Sequence, residues 1–465
     1  MSVAEPSDTG NTPVHCFLHI MSNPDHTCIL GNDALHRGGT REVLFFISPR
    51  IIDFDAFLPT AMQMKADRPD WRIRFVTFSR ENFDFIATNG THVEALKRTG
   101  TLHYLGWEEG ASKPARLMLR LVAILRVILW ILRFGRPVLI LGLPFTAEPY
   151  AIWRAVARLR AGNAVTLWKY RSPDIALHRF RKVRKEPPKG HPRSLVARLF
   201  AKDADLFVHY HDQEETNIEW ARPYGRLDNI QEILIGMPHY LPAWRKLIAD
   251  QVARARADFE AEGFAPDTEY FTTFPAKVWS AESLRDDDAI VWTFELACRL
   301  ILAHRPKGVI LMRPHPKAAE TPYYLETLEQ AGPSRARISM LHPEVLLELA
   351  HRAVFNNPTN ILFSCFTGRM IDNSDYHPEH YEEFGDRSLA DGYGPVYINP
   401  RAKDFEDRFL RALDDDALFD DPDLVANRDA LLSRNPADIT RFISWVENAP
   451  SYSDIRGFES ENAVS

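Results

Sequence analysis

Short apolar runs alternate with helix-forming stretches along this chain, in two successive series, and that alternation limits the folds open to it. The first series comprises VLFFIS (43–48), RIRFVTFS (72–79), LHYLGW (102–107), PVLILGLP (137–144), AVTLWKY (164–170), DLFVHYH (205–211) and ILIGMP (233–238). A strand covered on both faces reads as a continuous apolar run, and parallel pairing needs a long crossover such as a helix. The second series comprises YFTTFPAK (270–277), GVILMRPHP (308–316), a short strand near ISML, AVFNNPTN (353–360), IDNSDY (371–376) and PVYINP (395–400). Between the two lies LPAWRKLIADQVARARADFEAEGFAPD, a charged helix that stops at Gly263 with Pro266 beyond it.

The pattern predicts an α/β fold of two Rossmann-like domains facing a cleft, the GT-B-like arrangement. The expected divisions are an irregular segment at 1–40, an N-terminal domain at 41–240, a linker helix at 241–265, a C-terminal domain at 266–448 and a frayed tail at 449–465. Two domains agree with a length of 465 residues. With 45% hydrophobic and 26% charged residues the chain is neither disordered nor fibrous. A net charge of −7 argues against a nucleic-acid binder. Cys16, Cys28, Cys298 and Cys365 form no CxxC pair, so neither a disulfide framework nor a structural zinc site is expected. The first residues lack the basic and apolar regions of a signal peptide, and the expected location is the cytoplasm.

Residues 117–132, LMLRLVAILRVILWIL, are interrupted by Arg120 and Arg126 and are too short to span a bilayer. They fit a core helix packed on the sheet, or a basic amphipathic helix on an anionic membrane at the inner face of the cytoplasmic membrane. The strand signal that follows directly favours the core helix. The basic run from His178 to Lys185, continued by Lys189 and Arg193, is a solvated loop or a further contact for an anionic acceptor or headgroup.

The strongest chemical signal is Arg313-Pro314-His315-Pro316-Lys317 after the strand VILM. A parallel strand delivers the residues that follow it to the ligand edge of the sheet, and the prolines fix the turn. Arg313, His315 and Lys317 are cationic donors suited to a phosphate. His-Pro also occurs at 191, 342 and 377, without both a buried-strand signal before it and basic neighbours on either side. Thr359 and Asn360 lie in a turn before a helix-like stretch, where capping groups and free N–H groups bind anions. Lys277 ends the first strand of the second series, and Ser374 lies in the loop of a later one.

On these motifs the C-terminal half, about residues 265–400, resembles the bacterial capsule and surface-polysaccharide transferases of GT-B type. They include the CMP-sugar-using Kdo and polysialic-acid transferases and, more distantly, the CDP-glycerol glycerophosphotransferases. The resemblance implies that His315 contacts the phosphate of a cytidine nucleotide and that the Thr359–Asn360 turn binds it at a helix N-terminus. Those families carry paired Ser or Ser-Thr where this chain has Thr359 and Asn360. It also implies a nucleotide-sugar donor and a glycan or lipid-linked acceptor, with no cofactor and no metal.

An inverting transfer needs a general base. The candidates are Glu108 and Glu109, which resemble the acidic-acidic-Gly motif of the polysialyltransferases, and Asp53 or Asp55 after the first strand. Glu214 and Glu215 form a third acidic cluster beside His209, His211 and Asp212, which present no second ligand pair for a metal. A CDP-polyol phosphotransferase, a sugar-nucleotide epimerase and a non-catalytic binding protein on the same fold are the alternatives.

Overall fold

The computed structural model describes residues 29–31, 41–47, 51–106, 112–133, 137–142, 149–160, 162–167, 195–199, 203–210, 226–227, 230–275, 285–314, 322–355, 369–388, 395–422, 425–426 and 436–448. They form two parallel-sheet bodies of the GT-B kind, as the alternation predicts.

The first sheet comprises β1 (Ile29–Gly31), β2 (Arg41–Ile47), β3 (Trp71–Thr77), β4 (Thr101–Tyr104), β5 (Val138–Leu141), β6 (Asn163–Leu167), β7 (Leu206–His209) and β8 (Gln231–Leu234). Their order is β1-β4-β3-β2-β5-β6-β7-β8. Every pairing is parallel except β1 with β4. Thus three residues of the segment expected to be irregular add an antiparallel edge. β2 is central, and its side chains alternate between two cores: Val43, Phe45 and Ile47 enter one, Leu44 and Phe46 the other. The crossovers include α1 (Ile51–Asp67), α2 (Arg80–Thr88), α3 (Gly90–Thr99), α4 (Lys113–Arg133) and α5 (Tyr150–Leu159).

The expected linker is α6 (Pro242–Ala261), and it is not exposed between the bodies. Trp244, Leu247, Ile248, Ala255 and Phe259 are buried in a core that runs continuously from the first sheet to the second. The second sheet holds β9 (Glu269–Phe274), β10 (Gly308–Met312), β11 (Ala336–Ile338), β12 (Arg352–Phe355), β13 (Met370–Asp372) and β14 (Val396–Tyr397). It is parallel throughout, in the order β11-β10-β9-β12-β13-β14. Its helices are α7 (Asp287–His304), α8 (Pro322–Ala331), α9 (Pro343–Leu349), α10 (Pro378–Phe384) and α11 (Phe405–Asp414).

Two elements depart from the sequence reading. The last helix, α12 (Pro436–Asn448), lies within the stretch expected to belong to the C-terminal domain. Its face of Ile439, Phe442, Ile443 and Val446 instead joins the core shared with the first sheet. Arg41 donates to the Val446 carbonyl and Arg68 pairs with Glu447, which ties the helix to the first body. The second departure is α4. The core-helix expectation holds for one face: Ala123, Val127 and Ile131 are buried, and Ile124, Ile128 and Trp130 pack partly buried against the same core. Leu117, Met118, Leu121, Val122, Leu125, Leu129 and Leu132 are exposed.

Candidate functional site

Both sheets reverse their winding direction once, between β2 and β5 in the first and between β9 and β12 in the second. The crevice at the carboxyl ends of such strands is where open parallel sheets take ligands. The chain leaves β2 and enters α1 almost at once, which sets Asp53 and Asp55 at that edge on nearly opposite sides of the helix.

Asp53 lies over the first switch point. A Cβ on Gly142, just after β5, would stand 3.4 Å from Asp53 Oδ2, so the carboxylate adjoins the end of β5. Burial, reinforced by Asp53, pushes the Tyr150 phenol up to about 12 and the Tyr210 phenol well above its usual value.

Asp55 faces the other way. Its Oδ1 is 2.8 Å from Nε2 of His92, in the first turn of α3. Asn89 caps that helix by accepting from the N–H groups of Thr91 and His92 at 3.1 and 3.2 Å. The Phe54 ring meets the imidazole edge-on at 5.2 Å. An imidazole held by a carboxylate in this way is oriented for proton transfer.

The second body meets this pair with Arg313 and His342. Arg313 follows β10 directly, and its N–H donates to the Thr273 carbonyl at 2.9 Å. Its guanidinium lies 5.9 Å from the centre of the Phe85 ring, which α2 of the first body supplies. Burial pulls the Arg313 pKa below the usual guanidinium value, and Asp55 pulls it back up. His342 caps α9, its Nδ1 accepting from the Glu344 N–H at 3.3 Å. Its ring lies 5.2 Å from that of His92. Glu344 is buried and accepts from Trp244 Nε1 through both oxygens at 2.9 Å. His239 Nε2 lies 3.7 Å from the same carboxylate. Asp55, His92, Arg313 and His342 are each less than a tenth exposed, so the two bodies meet here with the face closed.

One ligand atom each from Asp55, His92 and His342 falls within 4.8 Å of the others. Two features of the surroundings disfavour a cation there. Nδ1 of His342 is used as a helix cap, which leaves the proton of the neutral ring on Nε2. Arg313 already places positive charge beside the cluster.

Asp53, Asp55, Arg313 and Ser374 are the sequence candidates that the structure describes, and Asp55 and Arg313 lie at the face between the bodies. Ser374 is fully buried, and its hydroxyl donates to Asp372 Oδ1 at 2.5 Å. Glu108, Glu109, Lys277, His315, Lys317, Thr359 and Asn360 lie outside the described residues. His209 is 2.6 Å from Glu232 through Nε2, whereas His211, Asp212, Glu214, Glu215 and the basic run lie outside them.

His92, His239 and His342 escaped the sequence reading. His342-Pro343 is one of the His-Pro pairs without a buried-strand signal and basic neighbours, and it begins a helix, as does His377-Pro378. Proline at the first helical position makes the histidine before it a cap, and that local role gives no hint of a partner in the other body.

The buried histidines make the fold acid-sensitive. Burial drives His239 down to about 4, against Asp55, which raises it, and Arg245 lowers it further. His342 lies well below its usual value, because of burial first and then its neighbours His92, His239 and Arg313. An unfolded imidazole titrates near 6.5, so between these values the unfolded chain binds more protons. Stability from His239 is therefore complete above about 6.5 and is lost as pH falls toward 4, by about 3 kcal/mol in all. The difference in urea unfolding free energy between wild type and His239→Gln should narrow by about 2 kcal/mol between about pH 7.5 and about pH 5. A gap independent of pH would show that His239 is not held neutral.

No protein-family model matches the sequence, and no curated protein does. Solved structures align with 88% of the chain. A UDP-GlcNAc 2-epimerase from Neisseria meningitidis bound to UDP-GlcNAc is 9% identical, covered over 98% of its length, with a TM-score of 0.46. The same enzyme from Methanocaldococcus jannaschii is 10% identical, covered over 99%, with a TM-score of 0.46. A UGT transferase from Siraitia grosvenorii in complex with UDP is 11% identical, covered over 100%, with a TM-score of 0.43. The strand orders above, rather than these likenesses, define the architecture.

Proposed function

We propose that this chain is a GT-B glycosyltransferase of bacterial surface or capsular polysaccharide synthesis. It moves a sugar from a nucleotide-linked donor, CMP-linked by the resemblance of its motifs, to a glycan or lipid-linked acceptor. The observation that carries this reading is Arg313. The first residue of the RPHPK turn lies beside the second switch point and within electrostatic reach of Asp55 in the other body. A donor phosphate held by Arg313 would lie beside the Asp55–His92 pair, and a transfer needs these two elements together.

In this reading Arg313, His315 and Lys317 neutralise the leaving phosphate, and Lys277, Thr359 and Asn360 help to hold the donor. His92, oriented by Asp55, takes the proton of the acceptor hydroxyl. Substrates enter when the two bodies separate along the face now closed by Arg313 and His342.

A thermal-shift screen of the full chain against CMP, CDP, UDP and GDP tests the donor site. A nucleotide at a hundred times its Kd stabilises by about 2.7 kcal/mol. Arg313→Ala should weaken the selected nucleotide by roughly ten- to a hundredfold, since hydrogen bonds to charged groups contribute about 1.5–3 kcal/mol. His315→Ala should do the same. Equal affinity in folded variants would remove the donor site from this turn. Incubation with the nucleotide-sugar alone, followed by NMR, separates the chemistries: inversion at a sugar carbon without acceptor would make the chain an epimerase.

A further inference from the structure

The geometry points to α4 as an in-plane docking helix for an anionic phospholipid surface. Met118, Val122, Leu125, Leu129 and Leu132 follow one another at steps of four and three residues, so they form one stripe along the helix. They are 64, 54, 57, 64 and 42% exposed, respectively. The opposite face, Ala123, Val127 and Ile131, is buried against the first sheet and fixes the helix with the stripe outward. At 21 residues the helix is about 31 Å long, enough for a large contiguous apolar band. No helix among the described residues is long and apolar enough to cross a membrane, so the band must lie along a surface.

Charge decides what that surface is. The helix carries Lys113, Arg116, Arg120, Arg126 and Arg133 and no acidic residue, although the whole chain is at −7. Arg126 and Arg133 line one edge of the stripe. A second copy of α4 would set arginines beside arginines with no carboxylate in the helix to pair them. A bilayer rich in phosphatidylglycerol supplies acyl chains for the stripe and phosphates for its flanks. The crossover from β4 begins α4 at the carboxyl edge of the sheet, so the docked membrane would adjoin the edge that carries Asp55. This inference rests on the exposure and charge of α4 and stands apart from the transferase reading.

Co-sedimentation of the full chain with vesicles tests it. Wild type should bind phosphatidylcholine vesicles containing roughly one third phosphatidylglycerol, at least about tenfold more tightly than pure phosphatidylcholine. Salt should weaken that binding through screening. Leu125→Asp with Leu129→Asp should abolish it without lowering Tm, because both side chains are exposed. Arg126→Gln with Arg133→Gln should weaken it about thirtyfold, at about 1 kcal/mol per basic residue. The proposal is overturned if wild type ignores the anionic vesicles or if both double variants bind them as wild type does. It is equally overturned if light scattering finds a dimer that Leu125→Asp with Leu129→Asp splits, since the stripe would then belong to a second copy.

Discussion

Asp203→Ala should cost the fold about 3–5 kcal/mol, the amount typical of stripping one partner from a buried ion pair. Asp203, just before β7, and Arg154, on α5, are both 0% exposed and lie 3.1 Å apart. Arg154 also donates to the Asp203 backbone carbonyl, and the second carboxylate oxygen accepts from the Arg226 N–H at 2.6 Å. Arg158, one helical turn on, pairs with Asp205 at 3.3 Å, and Asp205 accepts from the Ala164 N–H at 2.8 Å. The two pairs thus fasten α5 to the chain between β6 and β7. Burial already pulls Arg154 down to about 10 despite the attraction of Asp203. Without that carboxylate a guanidinium stays buried and unmatched, at a cost that rivals the whole stability of many domains. Arg154→Met combined with Asp203→Leu should recover most of the loss, because it removes the charge as well as its partner. Urea unfolding of both variants checks this. A single variant within 1 kcal/mol of wild type would show that water reaches the guanidinium.

The parts of the fold legible in the sequence are those whose physics is local. β2, β5 and β10 announce themselves because a strand covered on both faces has no polar side to show. The linker helix is marked by its glycine stop. Strand β1 was hidden because Ile29–Gly31 is short and half-exposed, without an apolar run. In α12 the spacing of Ile439, Phe442, Ile443 and Val446 gives an apolar face but not the body that covers it. In α4 apolar residues lie on nearly all sides, and sequence cannot say that Ala123, Val127 and Ile131, with Ile124, Ile128 and Trp130 beside them, are the ones that meet the sheet. The site divides in the same way. Arg313 and Asp55 follow strands directly, so topology alone assigns them to a ligand edge. His92 and His342 converge only when two bodies pack across some 250 residues of chain. Each has a helix start to account for it locally.

His92→Gln should lower kcat by roughly a hundred- to ten-thousandfold, the range that positioned acid–base groups contribute. This expectation rests on the transferase reading, and its design separates that reading from a purely structural cluster. His92 belongs to the first body, whereas Arg313 begins the turn assigned to the nucleotide, so nucleotide affinity should stay at the wild-type value. Asp55→Asn should act in the same direction, because Asp55 Oδ1 at 2.8 Å is what orients the ring. Its effect should be the smaller of the two, since the imidazole remains. Turnover is read as nucleotide released from sugar donors of the nucleotide that the thermal-shift screen selects, with unfolding free energy measured on the same samples. A latch between the bodies would lose stability in proportion to activity, whereas a base loses kcat in a protein that stays folded. Glu108→Gln and Glu109→Gln belong in the same series. If either stops turnover while His92→Gln does not, the proton goes to that glutamate and the Asp55–His92 pair is structural. Full activity in all four variants would show that none of these residues is the base and would remove the transfer chemistry from this face.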